Sequence, residues 1–360
     1  MTALRAPFPW FGGKRRVAPV VWAAFGDVPN YVEPFAGSLA VLLGRPHEPK
    51  TETVNDRDCY LANFWRALQA EPEAVARWAD TPVNEAEIEA RHRWLVAQAD
   101  FRERMMRDPD YYDAKIAGWW VYGLCGWIGS GWCREATWTD GNAGRGVHRK
   151  LPHMGNAGRG VHRQLPHMGN AGQGVHRQLP HMGGNGDTGR GVHSASARAD
   201  LVGYLSTLAA RLRRVRVACG DWKRVLGDSC TWRHGTTGIF LDPPYDDGAI
   251  DYAVGGRGIS ADVRAWAIEH GDDTRLRIAL CGYEGEHDMP STWRVHAWKA
   301  AGGFSSQRSG DPNGNPHRER IWFSPGCLDI GAPAVVSAPP PSAPRPADER
   351  QIDLFDRRTA

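Results

Sequence analysis

A 14-residue unit recurs almost unchanged in the middle of the chain, as GNAGRGVHRKLPHM at 141–154, GNAGRGVHRQLPHM at 155–168 and GNAGQGVHRQLPHM at 169–182. A decayed copy ends at His193. Each unit spaces its glycines closely and carries a Leu-Pro step, so neither a helix nor a long strand can run through it. Residues 141–193 are therefore expected to form an inserted, loop-like array, and the core must be assembled from the segments on either side. From Gly331 the chain turns Pro- and Ala-rich (APAVVSAPPPSAPRPADER), as an extended, disordered linker does. The folded body is then roughly 1–140 joined to 194–330. With 41% hydrophobic residues in 360, it can bury one full-sized core and a small second domain.

Several function classes drop out on composition. No run of about 18 or more apolar residues occurs, and Met1 to Lys14 lacks the basic-then-apolar order of a signal peptide, so a cytoplasmic protein without a membrane span is expected. The 7 cysteines form no C-x-x-C pair and are odd in number, which suits free thiols. A net charge of +3 neither announces nor excludes nucleic acid. The repeats carry His148, His153, His162, His167, His176 and His181 with Arg145, Arg149, Lys150, Arg159, Arg163, Arg177 and Arg190 against a single acid, Asp187. An inert spacer, contact with a phosphate backbone and a metal array all remain open for them; repeat expansion alone explains the regular histidines.

Three segments of the body carry chemistry. Tyr31-Val32-Glu33-Pro34-Phe35-Ala36-Gly37-Ser38 followed by Leu39-Ala40-Val41-Leu42 reads as strand, small-residue turn and helix. Such a turn either brings backbone and helix N-terminal amides close to a ligand or is a plain packing turn. Thr53-Val54-Asn55-Asp56 reads as a strand ending in an acid, the placement that doubly wound sheets use to hold ribose hydroxyls. Asp56 is equally placed to cap the helix that begins around Asp58. Gly238-Ile239-Phe240-Leu241 reads as a buried strand running into Asp242-Pro243-Pro244-Tyr245. Two prolines hold that exit extended and strip it of amide donors, leaving a row of acceptors beside an aromatic ring. An exocyclic amine is a poor nucleophile because its lone pair is delocalised into its ring. The Asp242 carboxylate and the Pro243 carbonyl can accept its two N–H groups, while Tyr245 stacks on a base turned out of a helix.

Together these residues resemble the DNA adenine methylase family of phage and bacteria, in the subgroup whose cofactor motifs precede the catalytic one. Pro7-Phe8-Pro9-Trp10-Phe11-Gly12-Gly13-Lys14 is similar to that family's P-F-x-W-x-G-G-K motif, and Glu33-Pro34-Phe35-Ala36-Gly37-Ser38 to its E-P-F-x-G loop. The resemblance implies a doubly wound, Rossmann-like α/β methyltransferase sheet with an inserted target-recognition region. It implies transfer of a methyl group from S-adenosylmethionine to adenine-N6 of a flipped-out base in double-stranded DNA, the chemistry of restriction-modification systems. Asp242, Pro243, Pro244 and Tyr245 are then catalytic. Trp10, Lys14, Glu33, Pro34, Phe35, Ala36, Gly37, Ser38, Asp56 and Asp242 are then cofactor-binding, with Asp56 at the ribose, and no metal is required. Cys219-Gly220-Asp221-Trp222 is a fainter match. Residues 1–80 and 199–330 become the cofactor and catalytic halves of the core, 81–198 the target-recognition region, and 331–360 the tail. Cytosine-N4 methylation, which uses the same amine chemistry, and a catalytically lapsed DNA-binding module are the alternatives.

The remaining segments fit such a sheet. Ser260 to Ala267 reads as a helix capped by Ser260, Leu276 to Cys281 as a strand, and Arg320 to Phe323 as a final strand. Trp119, Trp120, Tyr122, Trp127, Trp132 and Trp138, mixed with glycines, read as helix-to-loop core in preference to a DNA-contact surface.

Beyond the linker, Gln351-Ile352-Asp353-Leu354-Phe355 resembles the Q-L-x-L-F peptides that bind the replicative sliding clamp. Ile352, Leu354 and Phe355 offer an apolar anchor and Gln351 an amide, on a flexible tether that would let an enzyme follow moving DNA. A peptide spanning 346–358 should bind the clamp with micromolar-range affinity, and L354A with F355A should remove that binding while leaving methylation of naked DNA unchanged. Loss of activity on naked DNA would instead mean that the tail docks on the protein's own surface.

Overall fold

The computed structural model describes residues 4–10, 14–127, 131–133, 195–245, 258–298 and 319–330. The repeat array, Trp138 and the tail residues Gln351, Leu354 and Phe355 lie outside the described residues. A 3-10 turn at Lys14–Arg16 leads into helix α1 (Ala18–Phe25), strand β1 (Asn30–Glu33), helix α2 (Ala40–Leu43), strand β2 (Thr51–Asp56) and helix α3 (Cys59–Ala70). Four helices follow, α4 (Pro72–Ala79), α5 (Glu85–Val96), α6 (Phe101–Arg107) and α7 (Ala114–Gly126). After the array come α8 (Ala195–Leu212), β3 (Val215–Cys219), β4 (Thr237–Leu241), α9 (Ile259–His270), β5 (Leu276–Tyr283), β6 (Arg294–Ala297) and β7 (Glu319–Phe323).

The seven strands form one sheet in the order β3-β2-β1-β4-β5-β7-β6. The first five are parallel, and β7 runs antiparallel to both β5 and β6. This is the doubly wound, Rossmann-like sheet expected of the sequence. All residues of β1 and β4 are buried, as parallel strands covered on both faces must be, which is why Gly238 to Leu241 reads as an unbroken apolar run. The chain leaves β1 toward β2 and leaves β4 toward β5. A crevice therefore opens between their carboxyl ends, where sheets of this kind place their ligands.

The sheet's helical cover is tied down by polar groups that reach carbonyls. Buried Arg66 of α3 donates to the carbonyls of Val217, Met105, Asp108 and Tyr111, joining α3 to β3 and to the end of α6. A buried guanidinium without such acceptors would be costly. Gln69 does the same to Leu212 and Val215. Helix α7 packs on α3 and α4. It can approach α4 closely because Gly118 lacks a Cβ, which would lie 2.3 Å from Cβ of Trp78. The aromatic crowd is core where it is described: Trp120 and Tyr122 are buried, and Trp127 and Trp132 flank His92. Among the described residues no helix is long and apolar enough to cross a membrane. The seven cysteines are free thiols.

The strand-turn-helix expected at 31–42 is present: the chain passes through Leu39 in the left-handed conformation (φ 55°) into the single turn of α2. Two local readings need correction. Asp58, not Asp56, caps α3, its side chain accepting from the amides of Tyr60 and Leu61. Helix α9 begins after Gly258 rather than after Ser260, whose hydroxyl donates to the Glu286 carboxylate.

Candidate active site

The N-terminal segment is held in place by one ring. Phe8 is buried, with centroid distances of 5.3 Å to Phe64, 5.6 Å to Trp65 and 5.3 Å to Trp120, so hydrophobic packing onto α3 and α7 fixes the strip that carries Trp10 and Lys14. Trp10 and Lys14 then serve two separate clusters along the carboxyl edge of the sheet.

The first cluster surrounds the β1–α2 turn. Gly37 has φ of 47°, and a Cβ there would lie 2.7 Å from Nε1 of Trp10, so both the backbone and the indole require glycine. Its amide donates to Oδ2 of Asp56 at 3.1 Å, and its carbonyl accepts from Nε1 of Trp65 at 3.1 Å. Asn55 clasps the turn, its side-chain amide nitrogen donating to the Pro34 carbonyl at 3.0 Å and its backbone carbonyl accepting from the Ala36 amide at 2.9 Å. Phe35 stacks on Trp222 at 6.2 Å. Asp56 also accepts from the Asp58 amide at 2.9 Å. Burial, and after it the neighbouring Asp58 carboxylate, pushes the Asp56 carboxyl up to about 7 against the pull of those amides. The loop expected to offer free helix amides to a ligand thus already gives one of them to Asp56. Ser38 and Trp10, with Phe8, Arg5 and Arg15, line a cavity of about 160 Å³ beside the turn.

The second cluster sits at the crevice between β1 and β4. The Nζ of Lys14, itself buried, lies 3.1 Å from Oδ1 of Asp242 and 3.4 Å from Oε2 of Glu319. The Tyr245 hydroxyl donates to the same Asp242 oxygen at 3.0 Å. Its ring meets Tyr283 edge-on at 4.6 Å and has the Lys14 ammonium 5.2 Å from its centroid. Pro243 is buried and Pro244 half-buried within the extended exit from β4. Glu33, at the end of β1, accepts from the Tyr31 hydroxyl at 3.0 Å. Burial, reinforced by the Asp242 charge, raises the Glu33 carboxyl well above its ordinary value. Burial works against the Lys14 charge, but the nearby Asp242 and Glu319 carboxylates outweigh it and hold the ammonium well above its ordinary value.

The structure thus brings Lys14, Asp242 and Tyr245 into contact with Glu33 close by, and joins Trp10, Gly37 and Asp56 in the first cluster. Asp221 belongs to neither; it is exposed and accepts from the Lys223 amide at the start of a 3-10 turn. Glu319 is the residue that sequence reasoning missed. Its signal was a lone acid that, with Arg320, opens a strand ending in three apolar residues, and only the antiparallel direction of β7 brings that end to the carboxyl edge of β5, opposite Tyr283. A larger cavity, about 400 Å³, opens beside α9 between Arg264, Ile268, Glu269 and Asp288. It touches neither cluster and carries none of this chemistry.

Residues 10–110 match the family model of the D12 class N6 adenine-specific DNA methyltransferases. The matched stretch holds Trp10, Lys14, Glu33 to Ser38 and Asp56, and ends before Asp242. No curated protein matches the chain.

The Asp56 geometry has a consequence for stability. Its carboxyl is raised from 3.8 to about 7, so the folded state favours the protonated form. The stabilisation this gives is full below 3.8 and is lost as pH rises through about 7. D56N cannot ionise, so its urea-unfolding free energy should gain steadily on wild type across that window. A difference that stays constant with pH would contradict the assignment.

Proposed function

We propose that the chain is a cytoplasmic enzyme that methylates the exocyclic N6 of an adenine flipped out of double-stranded DNA, a reading supported by the match of residues 10–110 to the family model of the D12 class N6 adenine-specific DNA methyltransferases. The single observation that carries this reading is the Lys14–Asp242 ion pair at 3.1 Å. It links the matched segment to Asp242-Pro243-Pro244-Tyr245, which lies beyond the end of the match.

S-adenosylmethionine is the cofactor proposed, and it supplies a methyl group bonded to a positively charged sulfur. The Asp242 carboxylate, which Lys14 neutralises only together with Glu319, is the group that suits such a cation. Trp10, Lys14 and the Glu33-Pro34-Phe35-Ala36-Gly37-Ser38 loop would hold it, and Asp56, at the end of β2, would take its ribose hydroxyls. Asp242 also faces it.

The work of Asp242 is to receive the base amine. Lys14 and the Tyr245 hydroxyl both converge on Oδ1, which assigns Oδ2 and the Pro243 carbonyl to the two amine hydrogens. Held this way, the nitrogen becomes tetrahedral and its lone pair is freed from the ring. Pro244 keeps the strip extended, and Tyr245, anchored through its hydroxyl, offers a ring for the base to stack on. Target recognition is assigned to 81–198. The clamp tether through Gln351, Leu354 and Phe355 belongs to the same proposal.

D242A should fold and turn over below about one per cent of wild type, since loss of a central transition-state hydrogen bond costs roughly 2.7–4 kcal/mol. K14A and D56A should first weaken cofactor binding in calorimetry. Turnover of D242A near wild type would remove the catalytic strip from the account.

A further inference from the structure

We propose that Glu319 is a positioning residue for the catalytic strip, sharing the Lys14 ammonium with Asp242 and so leaving Asp242 available as an acceptor. This rests on the reading of Asp242 as the amine's acceptor. Glu319 opens β7, and its register opposite Tyr283 sets it at the carboxyl edge of the sheet. It is 6% exposed, and its Oε2 lies 3.4 Å from Nζ of Lys14, which lies 3.1 Å from Asp242.

Burying a second carboxylate beside the first costs free energy, and Asp242 alone would satisfy Lys14 as an ion-pair partner. The second acid therefore needs another reason. A buried ammonium paired with one carboxylate draws that carboxylate's electron density to itself, and a base amine must compete with it. A second carboxylate on the same ammonium divides that attraction. Asp242, oriented by the Tyr245 hydroxyl, is then a stronger acceptor. The groups acting on Asp242 come from every neighbouring element: Lys14 from the turn before α1, Glu33 from β1, Cys281 from β5, Glu319 from β7 and Tyr245 from its own strip. Burial raises the Glu319 carboxyl, with Lys14 pulling it down and Asp242 pushing it up.

The test is E319Q, which keeps shape and hydrogen bonding but removes the charge. On DNA with S-adenosylmethionine, kcat should fall about tenfold or more while both KM values stay within about twofold. A residue that merely braces the fold would lower Tm while leaving kcat at the working temperature near wild type. Wild-type kcat overturns the inference whatever happens to Tm. If E319Q does not fold, E319D serves: its shorter reach should loosen the hold on Lys14 and lower kcat, and wild-type kcat in it overturns the inference too. Turnover surviving in D242A would sink the reading of the strip itself; an inactive D242A beside a fully active E319Q would sink this inference alone.

Discussion

The contact between the Lys14 ammonium and the Asp242 carboxylate, 3.1 Å apart and largely withdrawn from water, is the constraint on which the site depends. Its two halves come from opposite ends of the folded body and meet only because β1 and β4 are neighbours at the point where the sheet reverses its winding. Removing Lys14 would leave two carboxyls without their shared cation, at a cost of roughly 3–5 kcal/mol, whereas removing Asp242 still leaves Lys14 its Glu319 partner at 3.4 Å. The turn at Lys14–Arg16 and the Phe8 anchor are thereby coupled to the Asp-Pro-Pro exit.

Around this pair Glu319 brings a second carboxyl to Lys14, and Glu33 stands at the end of the neighbouring strand β1. Burial raises both carboxyls and so favours their neutral forms. The other station, at Gly37, is built differently. Backbone amides and an indole leave room only for a glycine, and Asp56 is drawn into the turn by the Gly37 amide.

Much of this arrangement was legible in the sequence because its signals were local and redundant. An unbroken apolar run into Asp242-Pro243-Pro244-Tyr245 can only be a buried strand with a rigid exit, and an acid closing the strand at Asp56 belongs at the carboxyl edge. What escaped depended on direction or on distant partners. Glu319 reaches the site only because β7 runs antiparallel. Whether Asp56 or Asp58 capped α3 turned on a two-residue choice that the Gly37 amide decides. The left-handed Leu39, which leads the chain into α2, goes against the ordinary preference of a leucine, and no periodicity announces it. Strand β6 stayed unread because its four residues alternate half-buried and exposed, with no apolar run to mark them.

The central claim is that this site methylates adenine, and product analysis tests it most directly. The full chain is incubated with double-stranded DNA and S-adenosylmethionine labelled in its methyl group, and the DNA is then digested to nucleosides. Label recovered as N6-methyldeoxyadenosine is the result expected of this account. Label in N4-methyldeoxycytidine would transfer the same acceptor chemistry to another base and overturn the adenine assignment. A protein that binds DNA and cofactor yet leaves the DNA unlabelled would contradict the enzyme altogether.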